Sequence, residues 1–428
     1  MNTFIDQPTA SPLNRWRLIL FIGGIITGVI AEALILFATP LLVLDYTGMP
    51  SAAGLAFAVE WLPAVLIFPF AGVITDRLGG RHIFLYSSLL RALVVLLILW
   101  LIQLLPDYAV ALLMVNAAFM SIFMAPNRMA VEKIVPQICH PQHLAIAQSA
   151  VQNSELIART AGPALAAYLA LISDKETILL IAAMVFFTSM LPITYLKMTR
   201  PGSTTEIATG NHWFRGSVIE MWRGCLMLWQ SASLMRLAAL NFIINIVFAV
   251  SMASHAAIIK YRYQLDDSAY GILNSAAAGI AILNLLLVPL LLRRLTIYHL
   301  AISGLLLIIA GMLFSAVSAS FNLYLSSYVI ATVGVTIFNV YNRTQRIRVL
   351  PADDIGKVLG PFYVLNLAAL PLGGGLVALL VDYYDNQILI FGAGAILFIA
   401  GPALLLVTQK AFVQDLRCIS ASKEMEND

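Results

Sequence analysis

The stretch that decides the fold reads Gly72-Val73-Ile74-Thr75-Asp76-Arg77-Leu78-Gly79-Gly80-Arg81. It covers the end of one long apolar run, 53–74, and leads into another, 83–104. A helix needs roughly 20 apolar residues to cross a hydrocarbon core of about 30 Å, and each run has that length. Three charged residues and three glycines fall in the stretch itself. It therefore predicts a short polar turn between two membrane-spanning helices.

The composition of the whole chain agrees with a membrane environment. Of its 428 residues, 61% are hydrophobic and 11% are charged. Soluble domains are about 25% charged, so this chain has too few charges to cover a water-facing surface. The net charge of +3 is small and argues against a nucleic-acid surface.

Apolar runs of similar length recur to the end of the chain. Because they are continuous, they predict helices rather than the alternating strands of a barrel. The predicted fold class is all-α, a polytopic membrane protein of twelve transmembrane helices. The predicted spans are 18–44, 53–74, 83–104, 108–124, 147–171, 177–196, 237–259, 269–292, 298–316, 323–340, 358–381 and 388–407.

The distribution of basic residues predicts the orientation. With the N-terminus inside, only three of the 25 basic residues fall in outer loops, Lys175, Lys260 and Arg262. Basic residues concentrate on the cytoplasmic side, so both termini are expected there. The first apolar run is too long for a cleaved signal core. We expect a multi-pass protein of the bacterial cytoplasmic (inner) membrane.

The longest polar interruption divides the spans six and six. Residues 199–236 are expected to be a cytoplasmic linker, with an amphipathic helix over 213–236. The predicted bundles are 1–198 and 237–409, followed by a tail at 410–428. Two stretches, 127–136 and 342–351, share an Asn-Arg start and a Pro end, and both are expected to be cytoplasmic loops. Their equivalent positions support a duplication.

The opening stretch resembles the signature G-x-x-x-D-R-x-G-R-R/K of the major facilitator superfamily. It matches at five positions, Gly72, Asp76, Arg77, Gly79 and Arg81, and departs at Gly80, where a basic residue is usual. The resemblance implies two six-helix bundles around a central cavity, working by alternating access. It also implies a conformational latch, with Gly72 allowing close helix approach and Asp76 facing the N-terminus of span eleven. The alternative is that the charges only anchor the topology.

Within that superfamily the chain is similar to the drug-efflux branch that includes macrolide and siderophore exporters. The similarity lies in 54–76, in 126–136 with 144–152, and in Gly162-Pro163-Ala164. The last of these resembles the exporters' Gly-Pro motif, although Ala166 and Ala167 stand where glycines are usual.

Two acidic residues lie deep in the first two spans. Glu32 is about 21 Å from the inner end of span one, and Glu60 is about 10 Å from the outer end of span two. Both depths fall in the outer half of the core, and buried charges are costly enough to indicate function. Two carboxylates in a poorly solvated site resist joint ionisation, so they could exchange protons or hold a cationic substrate. Alternatively, a hydroxyl or amide satisfies each one singly.

Span five carries a polar stripe on one helical face. Gln148, Gln152, Glu155 and Arg159 follow one another at intervals of four, three and four. Glu155 and Arg159 can pair across one turn. With Gly162 and Pro163, this face is expected to gate the interface between the halves, with direct substrate contact as the alternative.

Other polar residues within spans are weaker candidates. Arg91 is expected to snorkel to the lipid headgroups. Asn116, Asn241 and Asn245 lie on spans that the family resemblance assigns to the cavity. They are possible cavity-lining residues, with interhelical hydrogen bonding as the alternative.

No catalytic or nucleotide-binding motif is visible, so neither an enzyme nor a cofactor is expected. The stretch Cys139-His140-Pro141-Gln142-His143 lacks a second cluster, so no metal site is expected. The expected partners are a small-molecule substrate, protons and membrane lipid, and a monomer is expected. The favoured function is proton-coupled efflux of a lipophilic drug or siderophore. The alternatives are a lipid flippase, an importer of a polar metabolite, or a non-transporting receptor on this fold.

Overall fold

The computed structural model describes residues 15–139, 143–196, 212–349 and 355–427. Every regular element in these ranges is helical, so the all-α prediction is confirmed. The helices are α1 (Arg15–Thr47), α2 (Pro50–Leu78), α3 (Gly80–Leu104), α4 (Ala109–Ile138), α5 (Leu144–Ile172), α6 (Lys175–Thr194), α7 (His212–Gln230), α8 (Ala232–Ala257), α9 (Asp267–Leu292), α10 (Ile297–Ala316), α11 (Phe321–Val349), α12 (Ile355–Leu367), α13 (Ala369–Leu380) and α14 (Asn386–Asn427).

Eleven helical segments of the described residues are long and apolar enough to cross a membrane. One of them, Val358–Leu380, combines α12 and α13 into a single span. The 26-residue helix α9 occupies the position of the predicted eighth span. The architecture therefore agrees with the predicted twelve spans.

The spans form two six-helix bundles. In the first half, α1 packs on α5 and α6, while α4 packs on α2 and α3. In the second half, α8 packs on α13 and α14, while α10 packs on α11 and α14. The main contacts between the halves are those of α2 with α13 and of α5 with α9. These two helix pairs flank the centre of the molecule.

Two predicted loops are helical instead. Helix α4 continues through Pro126 and ends at Ile138, and α11 continues to Val349. The expectation of cytoplasmic loops at 127–136 and 342–349 was therefore wrong, while 350–351 lie outside the described residues. Leaving the hydrocarbon core does not stop a helix, because Glu, Lys, Arg and Gln are good helix formers.

The predicted amphipathic helix of the linker is α7, and it is shorter than expected. Ser231 separates α7 from α8, and its Oγ accepts a hydrogen bond from the Leu234 N–H at 3.4 Å. This N-cap starts span seven at Ala232 rather than at the predicted 237. Residues 197–211 of the linker lie outside the described ranges.

The turn between α2 and α3 explains the departure at Gly80. Gly79 has φ 78°, a left-handed conformation that favours glycine, and its N–H donates to the Thr75 carbonyl at 3.0 Å. A Cβ on Gly80 would lie 2.9 Å from the Ala130 carbonyl oxygen of α4. A basic side chain at position 80 would therefore collide with the backbone of α4.

Candidate functional site

A central cavity with two adjoining lobes lies between α1, α2 and α5 of the first half and reaches α8 and α9 of the second. We call the end of the molecule that carries Lys175 and Lys260 the outer end, after the predicted orientation, and the opposite end the inner end. The outer lobe has a volume of about 210 Å³ and the inner lobe about 240 Å³. Both lobes are lined by Val29, Glu32, Leu36, Trp61 and Arg159, so these residues mark where the lobes meet.

The two predicted acidic residues line the same lobe. Glu60, on α2, is 7% exposed, and Glu32, on α1, is half-buried. Both contribute to the outer lobe. Most of the remaining lining is apolar or aromatic, including Phe37, Phe57 and Met252. A charge in this lobe is therefore poorly solvated.

Two of the four residues of the polar stripe of α5 line the cavity, while Gln148 donates to Glu132 Oε2 at 2.9 Å. Glu155 lines the inner lobe, whereas Arg159 lines both lobes. In the conformation described, no ion pair within 4.0 Å joins these two side chains, so their pairing stays a prediction. Arg128 of α4 lines the inner lobe together with both of them. Gln152 is exposed.

The Gly-Pro motif lies at the packing surface of α5. Gly162 is buried directly against Ala33 of α1, and Pro163 lines the outer lobe. Just before the motif, the Thr160 hydroxyl donates to the Ala278 carbonyl of α9 at 3.2 Å. The motif thus holds α5 against α1, while its neighbour reaches the second half.

Two ring nitrogens at the cavity were missed by the sequence reasoning. His255, on α8, is 1% exposed and lines the outer lobe. Its Nδ1 forms a 2.7 Å hydrogen bond with the Tyr324 hydroxyl, while its Nε2 has no partner among the described residues. The indole Nε1 of Trp61 is also buried without a described partner. A histidine within a long apolar run was the available signal for the first of these.

The outer end closes the cavity with ion pairs between the halves. Asp45 of α1 pairs with Lys175 of the same half and with Lys260 of the other half. Lys175 in turn pairs with Asp267 of the second half, at 2.7 Å. Arg262 lies 3.6 Å from Asp385. All three basic residues predicted for the outer loops are therefore engaged in ion pairs.

Small residues bring the helices of the two halves together at the same end. A Cβ on Gly54 of α2 would lie 2.8 Å from the Ala378 nitrogen of α13. A Cβ on Gly374 would lie 2.8 Å from the Ala58 nitrogen, so this crossing has no room on either side. Across the second helix pair, Gly271 of α9 lies directly against Ala167 of α5. The outer end is thus closed by helix backbones in contact.

The sequence as a whole decides the family. The model of the Major Facilitator Superfamily matches residues 20–374. The chain belongs to the Major Facilitator Superfamily. Among curated relatives, it is 24% identical over 376 residues to an MFS-type transporter, YvqJ, of Bacillus subtilis (strain 168), described as uncharacterized. That match covers 83% of this chain and 84% of the relative.

Solved structures of the superfamily share the fold at low identity. A bacterial homologue of the iron transporter ferroportin, in the inward-facing state, has a TM-score of 0.71 at 15% identity, covering 95% of this chain and 100% of its own. A bacterial homologue of the human lysosomal transporter Spinster, also inward-facing, has a TM-score of 0.71 at 12% identity, covering 95% and 99%. The nucleoside transporter NupG reaches 0.70 at 12% identity, covering 93% and 99%. At these identities the likeness concerns the fold alone.

The superfamily signature loop differs from the expected latch at one point. Gly72 was expected to allow close helix approach, but a Cβ there would meet no atom within 4 Å. Its carbonyl instead accepts a hydrogen bond from Lys133 Nζ at 3.1 Å. Arg81 donates to the Thr194 carbonyl at 2.7 Å, and Arg77 is exposed in the last turn of α2. The side chain of Asp76 lies outside the described part of the structure. Residues 140–142, in the stretch where no metal site is expected, also lie outside it.

The three asparagines are not part of the cavity lining as described. Asn241 donates to Asn366 Oδ1 at 2.6 Å and accepts from Asn342 Nδ2 at 2.8 Å. Asn245 donates to the Asn366 carbonyl at 3.2 Å. Asn116 is fully buried and belongs to neither lobe. The first two join α8, α11 and α12 by hydrogen bonds, which was the alternative role expected for them, and their lining of a cavity stays a prediction.

Arg91 does not snorkel. Its side chain is 2% exposed, its Nη2 donates to the Met120 carbonyl of α4 at 3.2 Å, and its guanidinium lies over the Phe186 ring of α6 at 5.6 Å. The prediction was wrong because α4 supplies a hydrogen-bond acceptor and α6 an aromatic ring, and neither can be seen from the sequence of α3 alone.

Proposed function

We propose that the protein is a proton-coupled secondary transporter that exports a small lipophilic organic molecule across the bacterial inner membrane, with both termini in the cytoplasm. The observation that carries this proposal is that Glu32 and Glu60 line one mainly apolar lobe between the two halves. In such a site a cationic substrate and protons compete for the same carboxylates. Substrate binding would release protons, and proton binding would release the substrate.

The closed outer end supports a cycle of alternating access. Close packing at Gly54 and Gly271 joins the halves there. Two ion pairs, Asp45–Lys260 and Lys175–Asp267, also cross between the halves. The inner lobe extends from Glu32 toward Arg128 and Glu155. Rocking of the halves would break the outer contacts and open the outer lobe to the other side. The superfamily's signature loop, including Asp76, would latch one of these states.

The lining favours a lipophilic substrate over a polar anion. Arg159 is the one arginine and Asn274 the one asparagine of the outer lobe among the described residues. Glu32 and Glu60 would repel an anion, and most of the remaining lining is apolar or aromatic. A lipid flippase is compatible with the same apolar lining, and proton coupling separates it from an exporter.

The test is proton release from the purified protein in detergent, followed with a pH indicator in weak buffer. The panel contains lipophilic cations and siderophores. The wild type should release protons when a substrate binds, and the Glu32→Gln, Glu60→Gln double variant should not. Asp107→Asn removes an exposed carboxylate away from the cavity and should behave like the wild type.

The contrary outcome is equally definite. A substrate that binds the wild type without any proton release would rule out exchange at these two carboxylates. Facilitated diffusion, sodium coupling or lipid flipping would then account for the cavity better.

A further inference from the structure

Two polar groups of the outer lobe lack the partners that buried groups normally have. Trp61 Nε1 and His255 Nε2 are both buried, and neither has a hydrogen-bond partner among the described residues. Both residues line the outer lobe. Buried polar groups in native structures are nearly always hydrogen-bonded, so each such group calls for an explanation. A ligand in the adjoining lobe is the explanation that their position offers.

The histidine ring is held in place on its other side. Its Nδ1 is engaged with the Tyr324 hydroxyl at 2.7 Å. The rings of Tyr324 and Tyr328 meet it edge-on, with centroids 5.8 and 4.5 Å away. When the tyrosine hydroxyl donates to Nδ1, the imidazole proton resides on Nε2. In that tautomer, Tyr324 positions His255 with a free N–H donor.

The tryptophan supplies a donor from the opposite half. An indole N–H can only donate, so it needs an acceptor oxygen or nitrogen. Trp61 follows Glu60 directly on α2, whereas His255 belongs to α8. The ring of Phe57, one turn earlier on α2, lies 6.3 Å from the indole. With His255 in the Nε2–H tautomer, the outer lobe holds one unsatisfied donor from each half, beside a carboxylate.

We propose that Trp61 and His255 form a subsite for an acceptor oxygen of the substrate, a carbonyl or ether oxygen on a lipophilic cation. This rests on the proposed function, because it takes the cavity as the substrate site. The carboxylates of Glu32 and Glu60 hold the cationic part, and the two ring N–H groups select molecules that also carry an acceptor. Because the donors come from different halves, a substrate that engages both links the halves through its own atoms.

The experiment compares two cations that differ in acceptors. Rhodamine 6G carries an ester carbonyl, whereas tetraphenylphosphonium carries no acceptor oxygen. Binding to the purified full-length protein is measured by fluorescence anisotropy and by equilibrium dialysis, respectively. Loss of one neutral hydrogen bond should weaken rhodamine binding by about three- to tenfold in Trp61→Phe and in His255→Phe. Tetraphenylphosphonium binding should change less than twofold in His255→Phe and shows that the variant is folded.

Two tyrosines provide a matched control for the role of the ring. Tyr324→Phe removes the hydroxyl that fixes the imidazole and should lower the preference for rhodamine. Tyr328→Phe keeps the edge-on ring and should leave that preference unchanged. His255→Gln retains an amide donor and should recover part of the lost affinity. Nitrogen-15 NMR of the histidines, with the His255 signals assigned by comparison with His255→Gln, should show the Nε2–H tautomer at this residue.

Several results would overturn the proposal. They are equal weakening of both cations, no weakening of either, failure of both cations to bind, and an Nδ1–H tautomer in the wild type. The two hypotheses fail separately. A Glu32→Gln, Glu60→Gln variant that loses proton release but still prefers the acceptor-bearing cation keeps the subsite. A wild type that prefers rhodamine without releasing protons contradicts only the coupling.

Discussion

The two ends of the interface between the halves are built differently. At the outer end, the backbones of α2 and α13 touch at Gly54 and Gly374, and ion pairs centred on Asp45 add charge contacts. Toward the inner end, the corresponding contact between α2 and α12 is made by the rings of Phe68 and Tyr363, whose centroids are 6.5 Å apart. Among the residues that the structure describes, the interface is therefore held mainly from the outer end.

The two kinds of outer contact differ in what they contribute. Lipid tails are as apolar as leucine, so helices in a membrane associate through close packing of small residues. Half-exposed ion pairs contribute only about 0.2–1 kcal/mol each. Close packing should therefore contribute most of the free energy that keeps the outer end closed, and the ion pairs should contribute less. The variants below test this order, beginning with the largest expected effect.

Gly54→Ala should open the outer end. The new Cβ would lie 2.8 Å from the backbone of α13, and overpacking of this kind costs about 1–3 kcal/mol. Spin labels on Asp174→Cys and Tyr383→Cys, in a background free of other cysteines, should move apart in double electron–electron resonance. Gly72→Ala, on the same helix, has free space and should leave the distance distribution unchanged. An equal response to both substitutions would contradict the assignment of the closure to packing.

Asp45→Asn should have an intermediate effect. It removes one ion pair between the halves and one within the first half, while the pair of Lys175 and Asp267 remains. A loss of about 1 kcal/mol would change the ratio of closed to open molecules roughly fivefold. The same label pair should show this shift at low salt. In the wild type, raising the salt concentration should reduce the closed fraction, because exposed charges are screened.

Arg262→Gln should have the smallest effect on the interface. Arg262 and Asp385 both belong to the second half, so their pair does not join the halves. The label distances should stay unchanged, and the melting temperature of the purified protein should fall only slightly. A shift as large as that of Asp45→Asn would show that this pair also acts on the closure.

The span architecture could be predicted from the sequence because continuous apolar runs leave helix as the only regular structure that satisfies the backbone in lipid. The ends of α4 and α11 could not be predicted from the sequence, because hydropathy shows where a helix leaves the membrane and not where the helix ends. Ser231 shows the same limit in the linker, where one hydroxyl cap decides between one long helix and two.

The site was predictable only where charge stands out against an apolar run. Glu32 and Glu60 were found in that way, and the structure places them on one lobe. Partners from distant helices were not predictable. Arg91 meets Phe186, and His255 meets Tyr324, across 95 and 69 positions of the chain respectively. Gly72 shows the reverse case. The signature predicts that this glycine allows close helix approach, but a Cβ at this position would meet no atom within 4 Å.

Span eleven divides its packing between two sets of neighbours. α13 packs against α2 and α8, whereas α12 packs mainly on the linker helix α7. The helix continues through the junction, because Ala368 has helical backbone angles and its N–H donates to the Val364 carbonyl at 3.0 Å. Asn245 donates to the Asn366 carbonyl beside it at 3.2 Å. A displacement of α7 would therefore be carried along one continuous span to the crossing of α13 with α2 at the outer end.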